Sequence, residues 1–136
     1  MDTKKITENF VNNFINKSRR ERSLFELNHS KKRRDFIGRF NHSWATLVDM
    51  RKMIAVPQKA DQYKYIKENL QLNDSDLSYI ISNYPDIDDK LMEFNQAFNK
   101  SWGRGFATLI ISLNAVKIYL ETEQVQGSPY RFIGKV

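Results

Sequence analysis

The sequence predicts an α+β protein in which about five helices, the first two the longest, pack on one face of a small C-terminal antiparallel sheet of two to three strands. Three observations carry this expectation: a 3.6-residue apolar period recurring between Ile6 and Phe98, a clean apolar–polar alternation from Val116 to Glu123, and a break at Gly127-Ser128-Pro129. A chain of 136 residues is expected to form a single domain over 1–136, mainly helical over 1–103, with a β-hairpin and a short terminal strand over 104–136.

Ile6, Phe10 and Phe14 recur at intervals of four after a plausible Thr3 cap, which sets an opening helix. Its period then brings Lys17 and Glu21 onto the apolar face before Leu24 and Phe25 resume it, so the helix either bends near Lys17 or pairs those charges at i,i+4. Asn28-His29-Ser30 reads as a break and a new cap. The next apolar set, Phe36, Ile37, Phe40, Trp44, Leu47 and Val48, spans about 120 degrees of a helical wheel and leaves Lys31, Asp35, His42 and Asp49 opposite, toward solvent. Arg51 to Ala60 reads as an irregular or short extended connection ended by Pro57. Asp61 caps a short helix bearing Tyr63, Ile66 and Leu70; Asn73 or Asp74 caps another bearing Leu77, Ile80, Ile81 and Tyr84. After Pro85, Asp86 or Asp88 starts a helix with Leu91, Phe94 and Phe98 inward, closed by Gly103 and Gly105.

The runs Phe106 to Leu113 and Val116 to Glu123 flank Asn114-Ala115 and read as a hairpin, with Tyr130 to Ile133 as a third short strand. Phe106, Leu109, Ile110, Leu113, Val116 and Leu120 also fit a helical period; alternation, β-branching and the following break favour strands.

Charge gives the main functional handle. Residues Lys17 to Arg39 hold nine Lys and Arg against Glu21, Glu26 and Asp35, which equals the whole net charge of +6. A positive block on an otherwise neutral chain points to an anionic partner, because steering follows local charge. The tetrad Lys31, Lys32, Arg33 and Arg34 lies at a helix start, where the positive end of the dipole opposes cations by a few tenths of a kcal/mol each, so helix stability does not explain it. The candidate partner-binding residues are therefore Arg19, Arg20, Arg22, Lys31, Lys32, Arg33, Arg34 and Arg39.

Other chemistry finds little support. With no cysteine there is no disulfide framework, thiolate metal site or cysteine nucleophile, which fits a cytoplasmic setting. The N-terminus lacks the apolar run of a secretory signal, and no stretch reaches the roughly 18 apolar residues of a membrane span. His29 and His42 have no third ligand at supporting spacing. The acidic string at Asp86, Asp88 and Asp89 fails as a calcium loop, since the required glycine and glutamate positions hold Leu91 and Ala97. No Gly-x-Ser-x-Gly elbow or phosphate loop is present, so no cofactor is expected. Glu121 and Glu123 share one strand face about 7 Å apart and superficially suit an acid–base pair, but a solvated outer face with Arg131 as neutraliser explains the pattern more simply.

The sequence thus points to a non-enzymatic interaction protein, such as a stoichiometric inhibitor or immunity-type partner, that meets an acidic protein surface through the block at 17–39. The alternative is nucleic-acid binding through the same residues, which the commitment of Phe36, Phe40 and Trp44 to the core and the acidity of the helix expected after Pro85 disfavour.

Overall fold

A computed structural model describes residues 2–58, 61–124 and 127–136. Among these residues the order is α1 (Thr3–Phe14), α2 (Arg20–Leu27), α3 (Arg33–Leu47), β1 (Met53–Ala55), α4 (Gln62–Leu70), β2 (Leu77–Ser82), β3 (Leu91–Glu93), α5 (Phe94–Ser101), β4 (Thr108–Ser112), β5 (Lys117–Glu121) and β6 (Arg131–Lys135), with 3₁₀ turns at Lys17–Arg19 and Met50–Lys52. The strands form one antiparallel sheet in the order β1-β6-β5-β4-β2-β3. No helix of the described residues is long and apolar enough to cross a membrane.

The sheet is twice the size expected, and helices cover both of its faces. Alternate residues of its central strands enter two separate cores. Tyr79, Ile81, Leu109, Ile111, Ile118 and Leu120 pack with Phe10 and Phe14 of α1 and Phe36 and Phe40 of α3. Ile80, Ile110, Tyr119 and Ile133 pack instead with Ile66 and Leu70 of α4 and Phe94 and Phe98 of α5. An antiparallel sheet commonly leaves one face wet; here both are sealed, so the runs Tyr79-Ile80-Ile81 and Leu109-Ile110-Ile111 are continuously buried.

That second layer accounts for the main corrections. Residues 77–82, expected as a helix, are β2, because a strand buried on both faces has no polar alternation and its apolar run also satisfies a helical period. The helix expected from Asp86 begins only at Phe94; β3 precedes it, and Tyr84 to Asp89 forms turns, Asp89 lying in the left-handed region at φ 61°. The stretch 1–103, expected to be mainly helical, therefore contributes β1, β2 and β3. At the N-terminus Asp2 rather than Thr3 caps α1, accepting from the Lys4 and Lys5 amides at 3.0 and 3.3 Å. The first helix stops at Phe14, where Ile15 bridges to Val48 and the Asn16 amide donates to Leu47 O at 2.9 Å, so α2 is a separate helix after the 3₁₀ turn.

Local signals fare better. Asp61 caps α4 by accepting from the Lys64 amide at 3.0 Å. β4 and β5 form a hairpin around Asn114-Ala115, with β6 pairing to β5 from Lys117–Lys135 to Glu121–Arg131.

Candidate partner-binding surface

The nine cations of the block divide into those tied into the fold and those left free. The Arg33 guanidinium donates to both Asp88 oxygens at 2.8 and 2.9 Å and lies 5.8 Å from the Tyr79 ring centroid. Its side chain is only 11% exposed. Burial alone would lower its pKa, but the Asp88 hydrogen bonds and the surrounding negative charge raise it above the ordinary arginine value. Tyr79 in turn donates to Asp89 at 2.5 Å, and burial together with that bond pushes its pKa up to about 12. The acidic string after Pro85 is thus the counter-charge that anchors the start of α3 to the β2–β3 connection.

Arg39 is held by Glu26, its Nε donating at 3.1 Å, and Arg22 shares the same buried carboxylate at 3.3 Å. Arg20 donates to Ile15 O at 2.9 Å, closing the carbonyl end left by the break after α1. Lys17, Arg19, Lys31, Lys32 and Arg34 are exposed and make no ion pair among the described residues. Of the eight candidates, the fold therefore takes up Arg20, Arg33 and Arg39, leaves Arg22 mostly exposed beside Glu26, and frees Arg19, Lys31, Lys32 and Arg34 together with Lys17.

These free charges flank α2. The helix has 8 residues and a length of about 12 Å, with Lys17 and Arg19 before its start and Lys31, Lys32 and Arg34 after its end. Along its outer ridge Arg22 is 64% exposed and Phe25 is 52% exposed. Phe25 and His29 lie with ring centroids 4.3 Å apart, the His29 Nδ1 being 2.6 Å from Phe25 O. An exposed aromatic on a helix flanked at both ends by exposed cations has the anatomy of an interface anchor within a charged rim. Phe25 was expected to share the apolar face with Leu24. Only Leu24 packs on the core, because the break after Phe14 resets the helical phase that the longer helix would have kept.

The carboxylate pair is not a solvated face. Glu121 is fully buried, accepting from the Tyr119 hydroxyl at 2.7 Å and from Arg131 Nε at 3.0 Å. The other face of the Arg131 guanidinium lies 3.7 Å from the Trp102 ring centroid. Burial pushes the Glu121 carboxyl above the usual range, and the bonds from Tyr119 and Arg131 only partly offset it. Its Oε2 atom has no partner among the described residues. α4 and α5 seal this side of the sheet, so no substrate reaches Glu121, and Glu123 lies beyond the end of β5. The neutralising role expected of Arg131 is present, in a dry setting instead of a wet one. Among the described residues no group of three or more His, Cys, Asp or Glu is placed to hold a metal ion.

Comparisons with protein-family models, curated proteins and solved structures find no match for the chain. The functional reading therefore rests on the surface itself. Sequence reasoning located the cations but not their sorting, since Arg33 and Asp88 are 55 positions apart. It missed Phe25, whose exposure could have been suspected from the two charges that interrupt the first apolar stripe.

Proposed function

We propose that this chain is a non-enzymatic binding protein whose α2 ridge and adjoining turns dock on an acidic protein surface that offers an apolar recess for Phe25. The observation that carries the reading is the set of five exposed cations without carboxylate partners among the described residues, on either side of a half-exposed phenylalanine. Buried anchors supply most interface energy, while rim charges chiefly accelerate encounter. The fold spends acids from distant segments on Arg33 but leaves its neighbours Lys31, Lys32 and Arg34 uncompensated, which is the pattern of charges reserved for a partner. An inhibitor or immunity-type role suits a stoichiometric binder of this kind.

A second reading draws on the same aromatic: Phe25 could stack a base while the cations hold phosphates. One exposed ring makes a poor platform for successive bases, so the protein partner is favoured.

The test is affinity capture from the native cell with and without nuclease, using the wild type, Lys31→Glu/Lys32→Glu/Arg34→Glu, and Lys4→Glu/Lys5→Glu/Lys100→Glu as a charge-matched control elsewhere on the surface. The expected result is one protein in stoichiometric amount, indifferent to nuclease, kept by the control and lost by the triple variant. Recovery of nucleic acid, with a steep log–log salt dependence, would establish the second reading. Equal capture by all three proteins would remove the basis of both.

A further inference from the structure

A cleft of about 290 Å3 opens beside the C-terminal half of α3, between that helix and Thr122, Glu123 and Ser128 to Tyr130 of the connection from β5 to β6. That is close to the lower end of ligand pockets, roughly 300–1,000 Å3, and suits one small group. Its aromatic wall is Trp44, whose ring centroid lies 6.1 Å from Tyr130 and 5.2 Å from Phe132. Tyr130 is 66% exposed, yet its amide donates to Thr122 Oγ1 at 2.9 Å and its carbonyl accepts from the Thr122 amide at 3.0 Å.

The helix is distorted at this point. Ser43 leaves helical geometry at φ −137° and ψ 31°, between His42 and Trp44, which both line the cleft. The Thr46 hydroxyl donates to Ser43 O at 3.1 Å, competing with the helical ladder at this point. The one charged group of the lining is Glu123, which makes no ion pair among the described residues. No Lys or Arg of the described residues lines the space. In a protein of net charge +6 this is a local site of the opposite sign.

We infer that the cleft between α3 and the β5–β6 connection binds a cationic head group, an alkylammonium or guanidinium, against Trp44 and Tyr130 with Glu123 as counter-ion. Aromatic faces attract cations, and a carboxylate that lacks a partner supplies the charge that a neutral ligand would not use. The source of the head group is either a free amine or a Lys or Arg side chain of a polypeptide.

The experiment follows the two indole N–H signals in two-dimensional NMR spectra of the whole chain, with Trp44 assigned by Trp44→Phe and Trp102 as a reference outside the cleft. The probes are n-butylammonium, arginine methyl ester, a short lysine peptide blocked at both ends, and n-butanol as the uncharged isostere. The cations are expected to shift Trp44 and leave Trp102 in place, and n-butanol to shift neither. Glu123→Gln, verified as folded by circular dichroism, is expected to bind the cations about tenfold more weakly or worse. The Lys31→Glu/Lys32→Glu/Arg34→Glu variant is expected to bind them as the wild type does, which separates this site from the proposed docking surface. Tighter binding of the blocked peptide than of n-butylammonium assigns the source to a polypeptide; the reverse order assigns it to a free amine. Absence of a Trp44 shift with every cation, an equal shift with n-butanol, or undiminished binding by Glu123→Gln would overturn the inference.

Discussion

Replacing Arg131 by Met leaves Glu121 buried with only the Tyr119 hydrogen bond, since its Oε2 already lacks a partner. Glu121 is 0% exposed and the Arg131 side chain 7%, so solvent screening offers little relief. Breaking a buried pair by removing one member costs roughly 3–5 kcal/mol, and the surviving Tyr119 bond places Arg131→Met near the lower end, at about 3 kcal/mol. Glu121→Gln keeps the side-chain shape and leaves the guanidinium stacked on Trp102, so about 2 kcal/mol is expected. Combining the two changes as Glu121→Gln/Arg131→Met removes both charges while keeping an acceptor for the Tyr119 hydroxyl, and is expected to fall within about 2 kcal/mol of the wild type. The implied coupling is at least ~2 kcal/mol. Urea denaturation of the four proteins measures it. A pH series adds an independent check. The folded carboxyl titrates above its unfolded value, so the native state holds the proton more tightly; stability is greatest below the unfolded value and falls as pH rises through the folded one. Losing Arg131 removes a lowering influence and widens that gap, so the penalty of Arg131→Met is expected to be smaller near pH ~4 than at neutral pH. A penalty under about 1 kcal/mol, or a double variant as unstable as the two single changes added together, would refute the reasoning.

The sorting of the basic tetrad predicts opposite outcomes for neighbours: Arg33→Ala costs about 2 kcal/mol by leaving Asp88 with only the Ser82 amide, whereas Arg34→Ala stays within about 0.5 kcal/mol, both read from thermal and urea unfolding. Phe25→Ala is expected to leave stability within about 0.5 kcal/mol yet weaken partner binding at least about tenfold, measured by calorimetry; a stability loss without an affinity loss would make Phe25 part of the fold instead. At Gly134 an added Cβ would collide with Met53 Sδ and approach Phe14 Cε1 to 3.1 Å and Lys52 O to 3.2 Å, so Gly134→Ala is expected to cost about 1–3 kcal/mol, with partial recovery in Gly134→Ala/Met53→Ala. An unchanged midpoint for Gly134→Ala would mean that the β1–β6 edge yields more easily than this packing implies.

What was legible in the sequence was local. Asp61 caps the helix that follows it, and alternation after Asn114-Ala115 marks a hairpin, because each depends on neighbours within a few residues. What was not legible depends on the second helical layer. Once α4 and α5 cover the far face of the sheet, residues 77–82 are buried on both sides and carry no period-two signal. The same layer turns Glu121 from a plausible solvent-facing carboxylate into a buried one. For the candidate surface, the cations were countable in advance, but which of them remain free was not. Asp86 or Asp88 is the cap that the sequence suggests for a helix here; in the fold Asp88 and Asp89 instead partner Arg33 and Tyr79 across the chain. The exposure of Phe25 depends on the helix break at Ile15, which comes from the bridge to Val48, itself a contact between distant segments.

The central claim is that Lys31, Lys32 and Arg34 face a partner instead of the fold, and association kinetics test it most directly. With the captured protein in hand, the association rate constant is measured across a salt series for the wild type and for Lys31→Glu/Lys32→Glu/Arg34→Glu. The account predicts that the triple variant associates about 10- to 100-fold more slowly at low salt, that the difference shrinks as salt rises, and that unfolding stability is unchanged or slightly higher. Equal association rates at low salt would contradict it.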